Sequence, residues 1–330
     1  MQESKSKRST WLMSLGLFFV GLVIGGALIG AGRGLNSTSG STVTVTAGSS
    51  NAPVLKVLAT FFPLQNWAAA VGGVKANVSL LVPVSIDVHE FEPGPADLQA
   101  IGQANVLVLN GAGLEPWAPA VIAAADNPHL AVVNCSLGIN LIKVPSEFQV
   151  DNRTFDPHIW NDPVDAIVMV KNILAGYIQA DPTDAAYFTA NANTYINSLQ
   201  VLNQEFMDLA NSKLATREFV TFHTAWAYLA QQYDLTQIPV FGPFEEEPTP
   251  ADIQSVVNVI NQNKLCYVGY ESLSNPAVVQ AIASQTHATL VPMDPNEGLT
   301  DQQVAVGETY LTMMQMMLFI MTLALNNVGC

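Results

Sequence analysis

From Asp181 to Leu214 the chain reads "DPTDAAYFTANANTYINSLQVLNQEFMDLANSKL", with no glycine and no proline after Pro182. Apolar side chains recur at Phe188, Ala192, Tyr195, Leu199, Leu202, Phe206 and Leu209. Steps of four and three of this kind make the stripe of a single helix, approaching ~45 Å at 1.5 Å per residue. Asp181 can cap it, Pro182 suits the first helical position, and Asp184 adds negative charge to the first turn. This strut interrupts a different pattern. Before it, apolar or β-branched runs ("VLKVLATFF", "NVSLLVP", "NVLVLNG", "HLAVVNC") alternate with helically spaced segments; after it, "REFVTFH", "QIPVFGP", "KLCYVGYE" and "ATLVPMD" resume the alternation. Such alternation specifies βα units around a mainly parallel sheet. The expected fold is therefore α/β, with lobes over 54–180 and 215–330 joined by one rigid helix over 181–214.

The first 53 residues do not share this pattern. "MQESKSKRST" is a basic leader over 1–10, and Trp11 to Gly32 carries no charge. The latter is long enough to cross a bilayer, at roughly 20 residues per span, with the basic end left in the cytoplasm. It is read as a transmembrane signal anchor in preference to a cleaved signal peptide, whose apolar core is shorter. Residues 33–53 are rich in Ser, Thr and Gly and read as a flexible tether. Beyond residue 50 the chain has eight basic against 26 acidic side chains, a net of −18 within an overall −15. A body so acidic repels nucleic-acid phosphates and attracts cations. Asn-x-Ser/Thr triplets at Asn36, Asn77, Asn134 and Asn152 are compatible with an exported surface. Cys135 and Cys266 read as small buried residues, without a visible disulfide framework or zinc-thiolate spacing. The apolar stretch Tyr310–Leu325 is short for a membrane span and reads as a packed terminal helix.

Three of the five histidines share a kind of placement. His89 ("DVHEFEPGPADL") follows the second predicted strand, His158 ("FDPHIWNDP") lies between two Asp-Pro pairs, and His223 ends the strand "REFVTFH". Ligands in open α/β sheets gather beyond the carboxyl ends of the strands, so a cleft between the lobes could gather all three. His129 and His287 begin strands instead, and read as surface or capping residues. Three neutral imidazoles suit Zn2+ and leave one tetrahedral position. A carboxylate at a strand end of the second lobe would fill it: Asp294 in "ATLVPMDP", or Glu271 in "YVGYE", which could alternatively orient a ligand. Glu245, Glu246 and Glu247 form an acidic run read as solvated surface.

At these residues the chain resembles the zinc- and manganese-binding solute-binding proteins of ABC importers. The resemblance covers most of residues 54–326 and rests on "HEFEPGPADLQAIGQANVLVLNGAGLEPW", "FDPHIWNDP", "DPTDAAYFTANANTYINSL", "FHTAWAYLAQQYDL", "EPTPADI" and "MDP" in this order. It implies two pseudo-symmetric lobes with the metal in the cleft, ligands at His89, His158, His223 and Asp294, and partners in an ABC permease and its ATPase. Two features depart from the family. The region "LIKVPSEFQVDNRT" lacks the histidine-rich loop of many zinc importers, and an apolar helix stands where a lipid anchor or cleaved signal is expected. Donors of the N3O type suit Zn2+ better than Mn2+, which favours more oxygen. A secreted zinc hydrolase is the reading of a different class. It would need an open metal position and a base such as Glu271 or Glu90, and no H-E-x-x-H helix is present.

Overall fold

The computed structural model describes residues 54–149, 153–244 and 248–329. The leader, the apolar stretch Trp11–Gly32, the tether, Asn152, the acidic run Glu245–Glu247 and Cys330 lie outside the described residues.

In the first lobe, β1 (Leu55–Ala59), α1 (Phe62–Gly72), β2 (Ala76–Leu80), α2 (Pro95–Gln103), β3 (Val106–Leu109), α3 (Ala118–Ala125) and β4 (Ala131–Asn134) follow in turn. The strands are parallel in the order β2-β1-β3-β4. After a long connection come α4 (Pro163–Ala180) and α5 (Ala185–Asn211). The second lobe comprises β5 (Glu218–His223), α6 (Ala227–Gln232), β6 (Thr236–Phe241), α7 (Pro250–Asn263), β7 (Tyr267–Tyr270), α8 (Ala277–Thr286), β8 (Thr289–Pro292), α9 (Asp301–Val306) and α10 (Tyr310–Leu325). Its sheet is again parallel, in the order β6-β5-β7-β8. The second sheet thus repeats the topology of the first. Val106–Leu109 is buried throughout, as a strand covered by helices on both faces must be.

The long helix forms where its stripe places it. Phe188, Ala192, Ile196, Leu199, Leu202, Phe206 and Ala210 are buried, with Tyr195 and Leu209 half-buried at the margins. Its entry is a single 3-10 turn over Pro182–Asp184, capped by Asp181 through the Thr183 amide. It ends at Asn211 rather than Leu214, and Arg217 Nη2 takes the Ala210 carbonyl at 2.8 Å. α5 packs on α1 and α4 of the first lobe and on α10 of the second, so one core runs through both lobes. Separate apolar clusters cover the outer faces of the two sheets. α10 buries Tyr310, Met313, Met314, Met317, Ile320 and Met321. Among the described residues no helix is long and apolar enough to cross a membrane.

The cysteine reading needs one correction. Cys135 is buried and free, but Cys266 is half-buried and disulfide-bonded. Pairing depends on proximity in three dimensions, and the spacing of cysteines along this chain carries no trace of it.

Candidate metal centre

Each half of "FDPHIWNDP" has its own task. Asp156 Oδ1 accepts from the His158 backbone amide at 2.9 Å and lies 2.7 Å from Nδ1. The carboxylate therefore fixes the ring with Nδ1 protonated and Nε2 free to accept a cation. The second pair serves the helix that follows: Asp162 caps α4 by accepting from the Val164 amide, and Pro163 takes the first helical position. The fully buried His158 stands at the head of the 3-10 turn Ile159–Asn161.

His223 is the last residue of β5 and is completely buried. Glu271 follows directly on the neighbouring strand β7, and its Oε1 lies 2.6 Å from His223 Nδ1. In a sheet ordered β6-β5-β7-β8, connections leave β5 and β7 in opposite directions, so the two strand ends flank the crevice where ligands collect. Glu271 sets the tautomer of His223. His89 comes from the loop beyond β2, where its amide donates to Asp87 Oδ1 at 2.7 Å. Its Nδ1 is buried with no hydrogen-bond partner among the described residues.

The structure brings Glu297, not Asp294, to these three rings. Asp294 turns aside: Oδ1 accepts from the Ser272 amide at 2.6 Å, and Oδ2 from Ser272 Oγ at 2.9 Å. The reason is topological. A residue just past the edge strand β8 lies beside the segment just past its neighbour β7, and only a further excursion of chain reaches the cleft. Asn296, buried at φ 63°, makes that excursion in the left-handed region that asparagine tolerates. Trp160 Nε1 donates to the Pro295 carbonyl at 2.7 Å, and Asn296 Nδ2 to Asn161 Oδ1 at 2.8 Å. On the other side the Leu299 amide donates to the Val84 carbonyl at 2.8 Å, in the loop that carries His89. The sequence offered one signal for Glu297, a second carboxylate in the same loop behind an asparagine.

The four donor atoms form a compact figure. Nε2 of His158 lies 3.2 Å from Nε2 of His89 and 3.1 Å from Nε2 of His223. Glu297 Oε1 stands 3.5, 3.2 and 3.4 Å from the Nε2 atoms of His89, His158 and His223. A tetrahedron whose centre lies about 2.0–2.1 Å from each corner, the usual zinc–ligand distance, has edges of about 3.3 Å. Glu297 Oε1 is buried and makes no hydrogen bond of good geometry. Three nitrogens and one oxygen thus face a common centre, and the donor set fits a tetrahedral divalent ion. His129 is exposed in the turn before β4, and His287 ends α8 with a left-handed backbone; neither approaches this centre.

The charges of the centre oppose its burial. Burial resists a charge on His158, but Asp156 and Glu297 outweigh it and lift its pKa above 6.5. Burial likewise resists charge on His223, and Glu271 and Glu297 raise its pKa well above that value. For Glu297 burial favours the neutral acid, yet His223 and His89 hold it well below the usual carboxylate range. The potential at the centre is strongly cation-seeking. Beside it opens a cavity of about 650 Å³, bordered by Asp87, His89, Glu90, Arg153, Phe244 and Glu297 among others.

The model of the family described as zinc-uptake complex component A, periplasmic (ZnuA), matches residues 57–322. The high-affinity zinc uptake system protein ZnuA of Bacillus subtilis (strain 168) is 30% identical over 297 residues, covering 87% of this chain and 91% of that protein. The zinc-binding lipoprotein AdcA of Streptococcus pneumoniae is 28% identical over 79% of this chain, which spans about half, 54%, of that longer protein. Among solved structures, the Zn(II)-bound ZnuA-like domain of AdcA from Streptococcus pneumoniae superposes with a TM-score of 0.72 at 26% identity. The match covers 83% of this chain and 100% of that domain.

Proposed function

We propose that this chain, which belongs to the family of zinc-uptake complex component A (ZnuA), captures Zn2+ with His89, His158, His223 and Glu297 and hands it to an ABC-type importer. It is a binding protein of a metal-uptake system, not an enzyme. The observation that carries the residue assignment is the set of near-equal spacings, 3.1 to 3.5 Å, across five of the six donor pairs. Four protein donors fill a tetrahedron and leave no position for a reactive water. Glu271, one of the two bases considered for a hydrolase, is spent on orienting His223.

Zn2+ rather than Mn2+ is supported by three imidazoles against a single carboxylate, since Mn2+ favours a richer oxygen set. Zinc in the names of the relatives points the same way. The permease and its ATPase are inferred from the family. The chain has no G-x-x-x-x-G-K-[ST] loop and so does not supply the energy itself. The described body is placed on the extracytoplasmic face, with the apolar stretch Trp11–Gly32 as its link to the membrane. Elemental analysis of the purified full chain, followed by competitive Zn2+/Mn2+ titration, tests the reading. Zn2+ should win, and His223→Glu should move preference toward Mn2+. A parent protein that prefers Mn2+, or a variant with unchanged selectivity, would sink the ligand assignment.

A further inference from the structure

We propose that Phe244 is the gate of this metal centre and Arg153 its latch, the pair governing how fast a bound ion leaves rather than how it is coordinated. The inference rests on the metal-capture reading and goes beyond it.

Burial shows where an ion must pass. The side chains of His158 and His223 are wholly buried, His89 is 3% exposed and Glu297 is 12% exposed. Only the His89–Glu297 side retains any contact with solvent, and that side faces the 650 Å³ cavity. Phe244 stands at this opening. Its ring meets that of His89 nearly at right angles, with centroids 6.3 Å apart at 77°, and the guanidinium carbon of Arg153 lies 4.2 Å from the centre of the Phe244 ring. The aromatic ring therefore contacts both an imidazole and a guanidinium.

The topology makes this an interlobe device. β2 and β6 hold the same edge position in the two sheets. The loop after β2 supplies His89, a donor; the loop after β6 supplies Phe244, an apolar cover. Arg153 belongs to the first lobe, as His89 does. Phe244 comes from the second lobe and touches two first-lobe partners, so opening the cleft must strip it from both. The contacts are of the kind that hold a closed state without touching the ion. The ring contact and the cation–π contact each contribute modestly, and together they should slow escape by roughly tenfold. Asp87 and Glu90 line the same cavity, so an ion past the ring meets attraction rather than a barrier.

The test uses the full chain loaded with Co2+, whose visible absorption reports ligand number and geometry, and with Zn2+. Release into excess chelator is followed by stopped flow. In Phe244→Ala, which removes both contacts, the off-rate should rise roughly tenfold, and in Arg153→Ala, which removes one, roughly threefold, while the Co2+ spectrum stays that of the parent. Arg153→Lys, which keeps a cation over the ring, should restore most of the slow release. Parental off-rates in both alanine variants would overturn the proposal. So would an altered Co2+ spectrum, which would mean that Phe244 holds His89 in place and does not gate. A parent that fails to bind either ion would instead overturn the metal-capture reading itself, and the gate with it.

Discussion

His158 and His223 each commit Nδ1 to a carboxylate and turn Nε2 toward the cleft. Glu297 brings the remaining charge on an oxygen that nothing else satisfies. Glu297→Ala should therefore weaken Zn2+ binding by more than the roughly 10- to 100-fold typical of losing an outer partner of a metal ligand. Asp294→Ala, which frees the Ser272 segment beside Glu271 and the Gln303 amide, should fall within or below that range. Isothermal titration of both variants decides the matter, and a larger loss in Asp294→Ala would reverse the assignment. Asp162 allows a separate prediction about stability. Burial, and then Asp165, push its pKa up to about 7. A carboxyl whose folded pKa exceeds its unfolded value favours the folded state while protonated. Its contribution therefore worsens as pH rises from the unfolded value, about 3.9, through about 7. Asp162→Asn keeps a competent cap and removes the titration. In chelator, the variant's gain over the parent should be larger at pH 8 than at pH 5, by on the order of 2 kcal/mol. Equal thermal shifts at the two pH values would refute this.

At the scale of elements, the parts legible in sequence were those written as periodic patterns. Six of the eight quoted apolar runs contain their strands whole and the other two, at β2 and β6, start one residue late, while the stripe from Phe188 to Leu209 follows the buried face of α5. Strand-end placement also picked out the three histidines that the structure gathers at one centre. The carboxylate was not legible. Asp294 satisfied the rule for strand ends, whereas Glu297 depends on a left-handed asparagine and on packing against the opposite lobe. No local pattern encodes either. Gly298 shows how tight that packing is: a Cβ there would stand 2.1 Å from the Val84 carbonyl oxygen. Gly298→Ala must push apart the loop bearing Glu297 and the loop leading to His89. It should cost about 1–3 kcal/mol of stability and lower Zn2+ affinity by at least tenfold. A destabilised variant of unchanged affinity would show that this contact does not position the centre.

For the molecule as a whole, the lobes are joined by more than the strut. Asn161 Nδ2 donates to the Ala225 carbonyl, Tyr228 Oη to the Asp156 carbonyl, and Tyr310 Oη to the Trp160 carbonyl. The His158 segment of the first lobe is thus tied to the second by bonds that do not involve the metal donors. Three imidazoles are held close together in a body whose net formal charge beyond residue 50 is −18. Protons and metal ions then compete for the same nitrogens. Burial alone would have lowered the pKa values of His158 and His223 and left them ready for metal at acidic pH. The facing carboxylates reverse that sign and raise both. Since ligation requires neutral imidazole, capture must release protons over a window lying above the free value of about 6.5. The affinity should therefore already be falling between pH 8 and 6.5. Two displaced protons would make the slope as steep as ~100-fold per pH unit on the acid side. Glu297, held well below the usual carboxylate range, stays charged throughout and does not flatten the slope. Zn2+ titrations in matched buffers from pH 8 to 5, with proton release read from the buffer dependence of the binding heat, measure this directly. An affinity that is flat over the range, with no protons released, would mean that the three imidazoles do not share the ion.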